Sequence, residues 1–316
     1  MLRLVTRRLV AVVPTLLIVT FGVFLMVKLV PGDPAVNAAG GLSATPEAIA
    51  QARIDLHLDD SFFSQYGRWL GNAVQGDLGS SYQTRTSVVH DLSGRVPITF
   101  GLIVAATLFA VLLAVPLGVL SGLRPNGGVD QGSRAFSSLA IAVPNFLLAL
   151  ILVLVFAVRL GWLPPSGYTK FGDSPAEWLK FILLPAIALG TAVSAAVMRQ
   201  LRAALVDELD TNHIRTAWAI GGSRARVVGR HGLKNASSPA ITILGLQIAA
   251  LVGGAVLVEQ IFAIPGLGTY MLGAITQADL PVIQGCVLVL ALVQIVISLV
   301  VDITYALVNP KVRVSS

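Results

Sequence analysis

Residues 98–120 read ITFGLIVAATLFAVLLAVPLGVL, an uncharged and almost wholly apolar run. A helix that crosses a bilayer needs about 20 such residues, so this stretch alone points to a membrane span. Five further runs resemble it, at about 9–30, 136–160, 181–198, 240–258 and 282–308. The run at 181–198 is the shortest, and its pattern continues helically past Arg199. Composition agrees. Of 316 residues, 55% are hydrophobic and only 12% charged, against about 25% charged in an ordinary soluble domain. A soluble enzyme and a disordered chain are excluded on these grounds. One cysteine, Cys286, excludes a disulfide scaffold and a multi-cysteine metal site, and its apolar surroundings read as a small buried hydrophobe. The expected fold is an all-α polytopic membrane protein with six transmembrane helices in a single membrane domain.

The charges between the runs set orientation. On one side lie the N-terminus (+3, from Arg3, Arg7 and Arg8), segment 121–135 (+1), segment 199–239 (+4) and the tail (+2). On the other side lie segments 32–97 (−3), 159–180 (+1) and 259–281 (−2). Basic loops stay in the cytoplasm, so both termini are expected there, with 32–97, 159–180 and 259–281 outside. The first run is too long for a signal-peptide core and is followed at once by Pro31 and Pro34, so it reads as an uncleaved helix.

Chemistry-bearing motifs are missing from the spans. Lys28 and Asp302 sit near span ends, where each can reach an interface. No series of acids or histidines forms a proton relay of the kind secondary carriers use. Gly-Lys does not occur, so there is no Walker A loop, and neither His-Glu-x-x-His nor Gly-x-Ser-x-Gly is present. Any ATP is expected on another polypeptide. Pro14, Pro116, Pro144 and Pro185 kink helices or stand at their ends, and Gly118 with Gly122 makes a small-xxx-small contact surface. Trp69, Trp162 and Trp178 read as interfacial residues.

Segment 199–239 carries the most information. Thr211 or Asn212 can cap a short helix from His213 to Ile220; Gly221-Gly222 can end it in the left-handed conformation; Ser223 can cap a second short helix from Arg224 to about His231. The loop therefore reads as helix, tight turn, helix, carrying seven basic residues. It is either a solvated positive loop that sets topology or a docking element for a partner.

The residues of this loop carry a family resemblance. Arg215-Thr216-Ala217-Trp218-Ala219-Ile220-Gly221 and His231-Gly232-Leu233-Lys234-Asn235, with Pro239 following, resemble the EAA loop of ABC importer permeases, and specifically the dipeptide/oligopeptide/nickel permease family. The resemblance implies an ATPase-coupling loop that includes Arg215, Thr216, Ala217, Gly221, Gly222, Arg224, His231, Leu233 and Asn235. The resemblance runs the length of the chain. It includes Pro31-Gly32-Asp33-Pro34 after the first helix, Gly76-Asp77-Leu78-Gly79-Ser80, Arg95-Val96-Pro97-Ile98-Thr99, Val143-Pro144-Asn145-Phe146, Leu163-Pro164-Pro165-Ser166-Gly167, Pro265-Gly266-Leu267-Gly268 and Asp279-Leu280-Pro281. Three positions depart from the pattern. Trp218 stands where many relatives have a basic residue, Ile220 where many have lysine, and His57 where a glycine is expected.

The resemblance implies a type I ABC importer permease fold. It implies a second permease subunit as partner, two ATPase subunits or a fused ATPase under the cytoplasmic loops, and an extracytoplasmic substrate-binding protein. This chain would hold no cofactor, with ATP and Mg on the ATPases, and would bind no nucleic acid. The cargo implied is a short peptide; relatives also carry nickel, glutathione or haem. The segment 46–70, with Ile49, Ile54, Leu56 and Leu58 on an apolar side, reads equally as a scoop that receives the binding protein or as a lid. A stand-alone channel or secondary carrier, and a membrane sensor or scaffold, are the competing classes.

Overall fold

The computed structural model describes residues 2–29 and 33–308. Its helices are α1 (Leu2–Leu29), α2 (Pro34–Ala39), α3 (Pro46–Asp55), α4 (Phe62–Val74), α5 (Val88–Leu123), α6 (Gly128–Ala142), α7 (Asn145–Leu152), α8 (Pro175–Leu209), α9 (Asn212–Ala219), α10 (Arg224–Arg226), α11 (Lys234–Ile261), α12 (Leu267–Thr276) and α13 (Leu280–Val308). Among the described residues, α5, α8, α13 and the helix running unbroken from Arg224 to Ile261 are long and apolar enough to cross a membrane. The helix α5 begins well before the apolar run 98–120, and Pro97 lies inside it rather than at its start.

The apolar run at 136–160 is not one helix. Axes on either side of Val143-Pro144 differ by 103°. Proline removes a backbone donor and forces the residue before it out of the helical region, and Val143 accordingly sits at φ −85° and ψ 120°. Beyond α7 the backbone continues as a wide π turn from Val153 to Arg159.

The chain divides into two compact units, one built on Phe100–Ile264 and the other on Arg7–Thr99 with Pro265–Ile295. In the first, α8 is the central element, and many of its residues from Ile182 to Leu205 are buried. Glycines let α5 approach it. A Cβ at Gly118 would meet Leu201 and the Met198 carbonyl at 3.2 Å, and one at Gly122 would meet Leu205 at 3.0 Å. The contact is tightest at Gly190, where a Cβ would lie 2.5 Å from the Ala106 carbonyl oxygen. Asp130, fully buried at the start of α6, is held by Arg202 of α8 through bonds of 2.5 Å and 2.8 Å. The Leu163–Gly167 motif meets the end of α11 in this unit, as the Gly167 amide donates to the Phe262 carbonyl at 2.8 Å.

In the second unit the packing face of the 46–70 region is not the one expected. Ile54 is exposed and α3 buries no residue. The face belongs instead to α4, where Phe62, Tyr66 and Trp69 recur at the i, i+4, i+7 spacing of one helix side. These rings pack on Phe21 and Phe24 of α1 with centroids 5.2–6.3 Å apart, and the Tyr66 hydroxyl lies 3.0 Å from Thr20 Oγ1. Trp69 is thus half-buried in an aromatic cluster, whereas Trp162 is exposed. A small core of Leu78, Val88, Leu92, Leu267, Ala274, Val282 and Cys286 gathers α5, α12 and α13.

Sequence-distant motifs clasp each other here too. The Asp279 carboxylate accepts from Ser81 Oγ at 2.5 Å and from the Tyr82 amide at 3.2 Å. Burial, and then the charge of Asp279, pushes the Tyr82 phenol up to about 12. The Leu267 amide donates to Thr99 Oγ1 at 2.8 Å, and the Arg95 guanidinium lies 4.2 Å from the centre of the Tyr270 ring.

Candidate functional site

The site is the loop between α8 and α11. Its first half is α9, preceded by Thr211, a residue with extended backbone angles. The Thr211 hydroxyl does not cap α9 forward as expected. It turns back to the Glu208 carbonyl at 2.6 Å. The end of α9 is built as expected in part. Gly221 has φ +83°, the left-handed value that costs glycine least. The Gly222 amide donates to the Ala217 carbonyl and the Gly221 amide to the Trp218 carbonyl, both at 3.0 Å. These two bonds define a Schellman turn. Gly222 serves differently, because its φ is not positive. A Cβ there would lie 2.6 Å from the Ala217 carbonyl oxygen and 2.7 Å from Val227.

Ser223 stands at the start of the next helix, but its side chain makes no capping bond. That helix is not short. From α10 it passes through a π-helical stretch, Val227–Leu233, straight into α11, and so forms one 38-residue element from Arg224 to Ile261. His231 is exposed and Leu233 half-buried within the π stretch. Gly232 is buried, and a Cβ there would meet Leu209 at 3.1 Å. The loop is therefore braced against α8.

The bracing residues include acids that a charge count alone does not pair. Glu208 accepts from Asn235 Nδ2 at 2.6 Å, and the same carboxylate oxygen lies 2.9 Å from His213 Nε2. One side chain at the end of α8 thus ties α9 to α11. Arg215 donates to Asp210 at 2.6 Å and is itself exposed. Ile214 has no exposure and plugs α9 into the bundle. Thr216 returns its hydroxyl to the Asn212 carbonyl at 3.0 Å. The outer surface carries Trp218, Ile220 (81% exposed) and Arg224. The outer face of this short helix thus sets an exposed tryptophan and isoleucine beside the exposed Arg215 and Arg224.

The other motif named in the sequence is described only in part, since Pro31 and Gly32 lie outside the described residues. Asp33 caps α2, accepting from the Ala35 amide at 2.9 Å, and Pro34 is the first residue of that helix. Asp33 also forms an ion pair with Arg53 of α3. Both residues line a cavity of about 520 Å3 together with Gln65, Trp69 and Tyr82. No group of three or more metal-binding side chains occurs among the described residues.

Spanning helices of this length, with a short loop helix locked to the end of one of them, define a polytopic membrane protein. Residues 114–314 match the binding-protein-dependent transport system inner membrane component, and residues 1–103 match the corresponding N-terminal part. The chain belongs to this family, the permease subunits of ABC importers; it is a multi-pass protein of the bacterial inner membrane and not an enzyme. It is 37% identical over 313 residues, 99% of each chain, to a putative peptide transport system permease protein of Brucella abortus. Over the same length it is 40% identical to a glutathione transport system permease protein of Escherichia coli, again covering 99% of each chain.

Proposed function

We propose that the chain is one of two permease subunits that together form a translocation pathway for short peptides. Six spans place both termini in the cytoplasm, as the alternation of loop charge supports. A binding protein delivers cargo to the outer segments. Two ATPase subunits, which alone bind ATP and Mg, dock under the cytoplasmic loops. The observation that carries this reading is the braced α9. Because Glu208, Ile214 and the Schellman turn fix it to α8 and α11, a push on the exposed Trp218–Ile220 surface moves two spanning helices as a rigid body. The lack of an acid or histidine relay within the spans fits a pump whose energy arrives from outside the chain.

Glutathione is a modified tripeptide, and the Escherichia coli relative makes it the second cargo reading. The test is reconstitution of the whole complex, pulled from native membranes in mild detergent. A second permease, Walker A ATPases and ATP-dependent uptake of labelled dipeptide are expected. Uptake that needs no ATPase would overturn the importer reading. Uptake of glutathione with no competition from dipeptides would overturn the peptide one.

A further inference from the structure

A cavity of about 190 Å3 lies within the first unit, bounded by α5, α6 and α8. Its wall carries Ser121, Ser133, Ser137, Arg134, Arg199 and Arg202. The carboxylate facing these cations is Asp130, committed to Arg202 and 3.4 Å from Arg134. One carboxylate against three guanidiniums leaves the cluster with an excess of positive charge. Arg199 and Arg134 stand exposed at the rim.

The serines add a second observation. A serine inside a helix ordinarily returns its hydroxyl to a carbonyl one turn back, as Ser137 does to Ser133 at 2.9 Å. Ser121 has no exposure, yet its hydroxyl finds no hydrogen-bond partner among the described residues. A buried hydroxyl left unpaired is unfavourable, and this one lies behind the cavity wall. The cavity thus presents guanidinium donors, the complement of an oxyanion, and arginine forks match phosphate oxygens in particular. Its volume is several times the roughly 30 Å3 of a water molecule, so it suits a group larger than a simple ion. Leu120 and Leu139, next in sequence to cavity residues, are exposed apolar side chains on membrane-type helices. They offer a surface for acyl chains beside the polar site.

We propose that this cavity holds the phosphate of an anionic phospholipid, with its chains along the surface that includes Leu120 and Leu139. Basic pockets between spanning helices on the cytoplasmic side take such headgroups. The cytoplasmic placement rests on the topology proposed above; the donor set does not.

The test uses the complete transporter in nanodiscs of phosphatidylcholine, titrated with either phosphatidylglycerol or inorganic phosphate while thermal unfolding is followed. Phosphatidylglycerol should raise the midpoint saturably. In the Arg134→Gln/Arg199→Gln variant the half-saturating lipid concentration should rise about tenfold or more. Arg124→Gln removes a cation that does not line the cavity and should leave the titration unchanged. An identical lipid response in the double variant and the wild type would overturn the proposal. A response to inorganic phosphate with none to phosphatidylglycerol would overturn the lipid as source. Neither readout depends on transport, so the site can fail while the importer reading stands.

Discussion

Two adjacent glycines in the loop between α8 and α11 do different work, and the difference is measurable. Gly221 is needed for its conformation, with φ +83° and open space around it. Gly222 is needed for its size, with the Ala217 carbonyl against it. Gly221→Val forces a β-branched residue into the left-handed region at a cost of about 1–3 kcal/mol. The chain should still insert, but uptake should fall while ATP hydrolysis continues. Normal uptake by a stably inserted Gly221→Val protein would remove the turn from the mechanism. Gly222→Ala should lower both complex yield and uptake, since its clash is with backbone. His57 is the reverse case. It occupies the C-terminal turn of α3 at φ +51°, with the Leu58 amide bonded to the Arg53 carbonyl and its own amide to Ile54. This is a second Schellman turn, and it explains the glycine expected there. His57→Gly should stabilise the protein by about 0.5–1 kcal/mol, read as a higher unfolding midpoint in detergent.

Helices in this protein are positioned by small residues and one buried charge pair. Gly118, Gly122 and Gly190 set how close α5 comes to α8, and that contact was legible from the Gly118/Gly122 spacing alone. Asp130 and Arg202 were not paired in advance, because they lie in segments that the charge count treats as separate loops. Asp130→Ala leaves the Arg202 guanidinium without its carboxylate and should destabilise by about 2 kcal/mol. Adding Arg202→Ala should cost much less than a second such loss. Additive losses in that double-mutant cycle would show that the pair contributes nothing specific. The amphipathic face of 46–70 was misplaced for a related reason. Its isoleucines and leucines do not share one helix side, since α3 ends at Asp55, whereas the aromatics of α4 do.

For the whole molecule, orientation in the membrane follows from the proposed topology and can be measured directly. The single cysteine is fully buried in the core, so a Cys286→Ala background permits mapping with introduced thiols. Ser61→Cys and Gly172→Cys should react with an impermeant maleimide in intact cells. Arg124→Cys and Ser223→Cys should react only after permeabilisation. The opposite pattern would invert the topology and move the coupling loop away from any cytoplasmic ATPase.

Membrane class, helical content and the glycine-ended α9 are readable from residue order, because they depend on local quantities: apolar run length, loop charge, and the backbone preferences of glycine and proline. The family is legible in a different way, from motifs that resemble it in order along the chain. Three features needed the folded chain. The 103° break at Pro144 was foreshadowed by the proline, but its angle comes from packing. The continuity of Arg224 with α11 emerged because a π stretch absorbs what looked like a second loop helix. The pairings Asp279 with Ser81, Thr99 with Leu267 and Glu208 with Asn235 join motifs far apart in sequence. A hydrogen bond between distant residues has no local signature; it exists only once the intervening helices have packed.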